Sequence, residues 1–210
     1  MTGRELKPLF RKYLQEHLPA FVLKGRLVYL QPVDVLLRAF CFEPSSFDKS
    51  FTIECFIQPL FIPEEHLVFN YGTRLGKKGD KWFRPDTESE ETIMQGVLLL
   101  MQERGIPYLN SIHSPSDLVK MIKGRREVLT LHDLQGIAYS LCYENNDRIS
   151  ILLAFDDLGA SLEKNLDRSW AQKMKEQAVL LKQTYNQDAN AAKELLNAWA
   201  LETKAKLGIN

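Results

Sequence analysis

The chain has 210 residues, 45% of them hydrophobic and 26% charged, and its 27 basic and 27 acidic side chains cancel to a net charge of zero. That length suits one large domain or two small ones, with a core that needs no disulfide or metal. The charge balance argues against a nucleic-acid coat or an acidic tail, and the charged N-terminus and short apolar runs, far below the ~20 residues of a bilayer span, argue for a cytosolic protein with no membrane partner.

Residues 4 to 18 read as a helix, because Leu6, Leu9, Phe10, Tyr13 and Leu14 recur at helical spacing and Pro19 forces an end. Short β-rich runs follow: Phe21 to Leu23, Leu27 to Leu30 and Val35 to Phe42, with Lys24-Gly25-Arg26 as a compact turn in which glycine can take a positive φ. The clearest strand comes next. Phe51, Ile53, Cys55 and Ile57 alternate with Thr52, Glu54, Phe56 and Gln58, which predicts one core face and one wetter face. Short connections make the four strands an antiparallel meander, since parallel pairs need long crossovers. Cys41 and Cys55 fall inside these runs and Cys142 far beyond them, so buried free thiols are expected.

Residues 63–87 read as a long connection rich in Gly, Lys and Pro, and everything beyond it as helical. Thr87 with Glu90, Ser114-Pro115 with Asp117, and Thr130 with Asp133 each predict a capped helix start; Gly105-Ile-Pro107 predicts an end. Segments 131–144 and 147–161 read as a helix pair turned at Asn145-Asn146-Asp147, with a β-hairpin as the alternative because Ile149, Ile151, Leu153 and Phe155 alternate. Leu166, Trp170, Met174, Gln177 and Leu181 mark one further helix, and Ala192, Leu195, Leu196 and Trp199 another. A polar connection at Tyr185 to Asp188 makes these two an antiparallel hairpin. The predicted class is α+β, divided as 1–62 (helix plus sheet), 63–87 (basic and aromatic connection) and 88–210 (helices).

The most unusual chemistry sits in the connection. It holds Glu64-Glu65-His66, Arg74 and Trp82, with five basic residues against Asp80 between Arg74 and Arg84. Basic groups beside aromatics can grip an anion or phosphate, and long loops in compact domains often carry function; the bland alternative is a solvated loop pinned by its aromatics. Gly72-x-x-x-Gly76-Lys77 falls short of a phosphate loop in spacing and lacks the Ser or Thr that binds magnesium. His17, His113 and His132 lack a second ligand at i+3 or i+4, and no HExxH, paired CxxC or G-x-S-x-G occurs, so no metal, no cofactor and no familiar catalytic set is expected.

The run Gln58-Pro-Leu-Phe-Ile-Pro-Glu-Glu-His66-Leu, with Tyr71-Gly72-x-Arg74-Leu75-Gly76 and the helices around Trp170 and Trp199, resembles a family of uncharacterised bacterial proteins of similar length. The resemblance implies a bacterial origin and carries over no functional residue. Two functions then compete. One is a protein-interaction module without catalytic activity, in which the C-terminal helices, anchored by Trp170 and Trp199, bind another protein or a second copy; nucleic acid is disfavoured as a partner. The other is a ligand-binding protein or enzyme using His66, Glu64, Arg74 and Trp82. Arg74 discriminates: sharing a pocket with His66 and Glu64 supports the second, and pairing with a strand carboxylate such as Glu54 opposes it.

Overall fold

The computed structural model describes residues 2–76 and 82–209. The chain forms two compact units: the first runs through Gln58 and resumes at Leu67–Ser111, and the second joins Pro59–His66 to Ile112 and beyond. These limits differ from the three-part division read from the sequence: residues 59–66 group with the helices from Ile112 on, and residues 67–111 group with the sheet.

In the first unit α1 (Gly3–Leu9) is capped by Thr2 and Glu5 in a reciprocal box and continues as a π-helical turn, Phe10–Leu14. Its Leu6, Phe10 and Leu14 are buried. The sheet has five strands among the described residues, β1 (Phe21–Lys24), β2 (Leu27–Leu30), β3 (Leu36–Pro44), β4 (Phe51–Pro59) and β5 (Tyr71–Leu75), in that spatial order. Gly25, at φ 59°, makes the two-residue β1–β2 turn as anticipated.

The fifth strand corrects the four-strand meander: β5 pairs antiparallel with β4, setting Glu54 opposite Arg74 and Ile57 opposite Tyr71. It also corrects the expected wet face. Every residue of β4 is buried. Phe56 meets Phe69 edge-on at 4.8 Å, Phe51 stacks on Phe83 at 5.1 Å, and Gln58 accepts a hydrogen bond from the Val68 backbone. Within the connection, Val68, Phe69, β5 and Phe83 lie against β4.

Helix α2 (Glu90–Leu100) starts at Ser89, not Thr87, and does not stop at Gly105. It runs through a π-helical turn, Met101–Gly105, into α3 (Ile106–Leu109). A π turn bonds i to i+5, so Ile106 N–H reaches the Met101 carbonyl, and the wider turn makes room for Pro107, which has no N–H to give. From this helical run Arg104 donates to the Gly76 carbonyl and Tyr108 to the Tyr71 carbonyl, covering the β5 edge.

The second unit is helical: α4 (Pro115–Lys123), α5 (Leu131–Glu144), α6 (Arg148–Leu162), α7 (Ser169–Gln187) and α8 (Ala189–Leu207). α5 is its centre, packing on α4, α6 and α8 and burying Ile137, Tyr139 and Cys142. The Thr130–Asp133 box and Ser114 cap form as anticipated. Asn145 turns the chain in the left-handed conformation, and Asp147 caps α6 by accepting from Ile149 and Ser150, so 148–162 is helix and the hairpin alternative falls. The polar connection expected before the last helix shrinks to one residue: Tyr185 to Gln187 stay helical, and Asp188 both ends α7 and caps α8. Among the described residues no helix is long and apolar enough to cross a membrane.

Candidate functional site

The residues nominated in the connection divide between the two units. Arg74 belongs to the first unit, where its Nε donates to Glu54 Oε1 at 2.5 Å and its guanidinium lies 5.9 Å from the Trp82 ring. It serves a buried strand carboxylate, whereas Glu64 and His66 belong to the second unit. Lys77, Lys78, Asp80 and Lys81, which supplied much of the loop's charge pattern, lie outside the described residues.

Glu64 has different company. The segment Pro59–His66 is strapped to the helices: Phe61 stacks on Tyr143 at 5.7 Å, the Ile62 carbonyl accepts from Thr203 Oγ1 at 3.5 Å, and Glu65 pairs with Lys206 at 3.8 Å. This holds Pro63 and Glu64 at a cleft of about 430 Å³ whose other walls are α5 and α7. α5 contributes His132 and Gln135, three residues apart, and α7 contributes Trp170, Lys173, Met174 and Gln177, at the i, i+3, i+4, i+7 spacing of a single helix face. The Thr130 box fixes where α5 begins, and Asp133 is held further by Arg125 at 3.5 Å, so His132 stands on a well-anchored first turn.

The Glu64 carboxylate is half-buried and has neither a hydrogen bond nor an ion pair among the described residues. Burial pushes its carboxyl above the usual range, opposed by the positive potential of His132, His66 and Lys173. Lys173 is exposed and likewise has no ion pair among the described residues, and Trp170 is 42% exposed. The cleft therefore combines a hydrogen-bond acceptor in need of a donor, a flat aromatic face, two amides and two groups of positive or titratable character. A half-buried carboxyl with a raised pKa beside an imidazole is a recurrent feature of functional sites.

Trp199 takes another role: its ring lies 5.9 Å from that of buried Tyr139, which also meets Phe155 at 6.2 Å. His66 is exposed, two residues after Glu64 in sequence. All three cysteines are buried and free, and desolvation pushes the Cys55 and Cys142 thiols up to about 12. Among the described residues no group of three or more His, Cys, Asp or Glu side chains is placed to hold a metal ion.

Sequence reasoning named Glu64 and Trp170 but passed over His132, Gln135 and Lys173. One signal was present: Gln177 interrupts the otherwise apolar 170–174–181 stripe of α7, where a polar residue marks a face not wholly given to the core.

The raised Glu64 carboxyl has a consequence for stability. Its folded pKa exceeds its unfolded value, so ionisation weakens the fold, and stability falls as pH rises through the folded pKa. Glu64→Gln is thus expected to melt above wild type at neutral pH. The two melting curves should converge below about pH 4, where the carboxyl is protonated in both states. A variant that melts below wild type at pH 7 would show that the carboxylate supports the fold.

No protein-family model, no curated protein and no solved structure matches the chain.

Proposed function

We propose that the helical unit binds a small molecule which presents a protonated nitrogen to Glu64 and lays an apolar or flat body against Trp170. The observation that carries this reading is the half-buried Glu64 carboxylate, which lines the cleft and has no hydrogen-bond donor among the described residues. A carboxylate withdrawn from water is stabilised by a charged donor, and the face of tryptophan attracts cations as well. Lys173 and His132 would meet an anionic group on the same ligand, and Gln135 and Gln177 can donate or accept at its edge.

Trp170 supplies the readout. Titration with ethanolamine, glycine and methylammonium, with acetate and inorganic phosphate as anionic counterparts, should give a saturable change in tryptophan emission for the ammonium compounds. The change should be absent in Trp170→Phe and require about tenfold more ligand in Glu64→Gln. A response to the anions alone, or an unaltered response in Glu64→Gln, would overturn the assignment.

A further inference from the structure

The first unit has a larger concavity of its own, about 590 Å³, between one side of α1 and the edge strand β1. The two edges of the sheet are treated differently. At β5 the side chains of Arg104 and Tyr108 donate to the Gly76 and Tyr71 carbonyls. At β1 the pairing register shows what stays open. The two-residue turn makes Lys24–Leu27 the bonded closing pair, and alternation makes Val22–Tyr29 the next. Gln31 N–H donates to the Ala20 carbonyl at 2.9 Å, which continues the same alternation.

Phe21 and Leu23 therefore turn their backbone groups away from β2. The Phe21 N–H is taken by the Leu18 carbonyl at 3.0 Å. The Phe21 carbonyl and both backbone groups of Leu23 have no partner among the described residues, a short template for another strand.

The facing wall is basic. Gly3, Lys7, Arg11 and Gln15 recur every four residues along one side of the helical run and line the groove. Lys7 and Arg11 are exposed and have no ion pair among the described residues; Glu16 is the one acidic lining residue. A Cβ on Gly3 would sit 2.9 Å from the Gly25 backbone, so helix and hairpin meet there and close one end. The floor between them is apolar, with Phe10, Leu18 and Phe21.

We propose that this groove takes an extended segment of a partner protein, which adds to β1 as a sixth strand and directs acidic side chains at Lys7 and Arg11. Backbone pairing supplies the affinity and alternate side chains the selectivity, as in other strand-addition complexes. The proposal is independent of the ligand cleft, which lies in the other unit.

The test uses three fluorescein-labelled hexapeptides: one alternating Val and Glu, one alternating Val and Lys, and the Val/Glu peptide with alternate backbone nitrogens methylated. Fluorescence anisotropy should show saturable binding of the first, about tenfold or more tighter than of the other two. Lys7→Glu/Arg11→Glu, both at exposed positions, should reverse the preference between Glu and Lys peptides. Hydrogen exchange should show the Leu23 amide protected on adding the first peptide, and Glu64→Gln should leave all of this unchanged. Absence of saturable binding at about 1 mM, or equal binding of the methylated peptide, overturns strand addition. Dimerisation through β1 in sedimentation would assign the groove to a second copy instead.

Discussion

Gly105→Ala is expected to destabilise the protein by about 1–2 kcal/mol, although glycine-to-alanine in a helix usually gains up to about 1 kcal/mol. The reason is the approach of the helical run to the sheet. A Cβ at Gly105 would strike the Phe40 ring, 2.8 Å from Cζ and closer still to Cε1, and would stand 3.2 Å from Leu75 Cδ1. Cys55 Sγ, from the strand between those two, lies 3.6 Å from the Gly105 carbonyl. Strands β3, β4 and β5 thus all crowd one backbone position, and none of the atoms in the way is the loose end of an exposed chain. Gly105→Val should cost more, about 3 kcal/mol, as branching adds to the overlap. Gly96→Ala in α2 and Gly159→Ala in α6 are the controls: nothing lies within 4 Å of a Cβ at either, and each should gain about 0.5–1 kcal/mol. Urea unfolding followed by circular dichroism measures all four. A Gly105→Ala protein as stable as Gly96→Ala would mean that Phe40 can move aside at no cost.

Gly105 also shows where sequence reading stops. Features whose partners lie within a few residues were legible: the Thr130–Asp133 box, the Ser114 cap with Pro115 behind it, and the Gly25 turn all form where local chemistry places them. Gly105-Ile-Pro107 reads as a terminator on the same local logic, yet the helix passes through it, because a π turn accommodates the proline and Phe40, some sixty-five positions earlier, requires the glycine. The alternation of β4 identified a strand but not its second buried face, since that face is covered by Phe69 and Arg74, which come later in the chain. β5 escaped notice for a related reason. Tyr-Gly-Thr-Arg-Leu is only five residues long, includes a glycine and has no clean alternation, and its strand state comes from pairing with β4. The cleft was half legible. Glu64 and Trp170 were named for their chemistry, but His132 looked solitary because its neighbours come from α7 and from the strap, not from its own helix.

Arg74 is the residue whose reading changed most, and substituting it separates the two accounts of the connection. Its guanidinium neutralises Glu54, whose side chain is 11% exposed, while its own is 43% exposed. Losing one partner of a buried pair leaves an uncompensated charge that costs about 3–5 kcal/mol, and the exposure of the arginine reduces that figure. Arg74→Met should therefore destabilise by about 2–3 kcal/mol. Glu54→Gln/Arg74→Met should recover most of the loss, because the stranded charge is removed along with the cation. Neither variant should change the response of Trp170 to ammonium compounds when assayed well below its melting temperature, since Arg74 is not among the residues lining the cleft. The contrast with Glu64→Gln is the decisive comparison: that change should raise stability at neutral pH and weaken ligand binding, whereas Arg74→Met should lower stability and spare binding. If Arg74→Met instead kept its stability and lost the ligand response, the charged connection, not the helical cleft, would be the binding site.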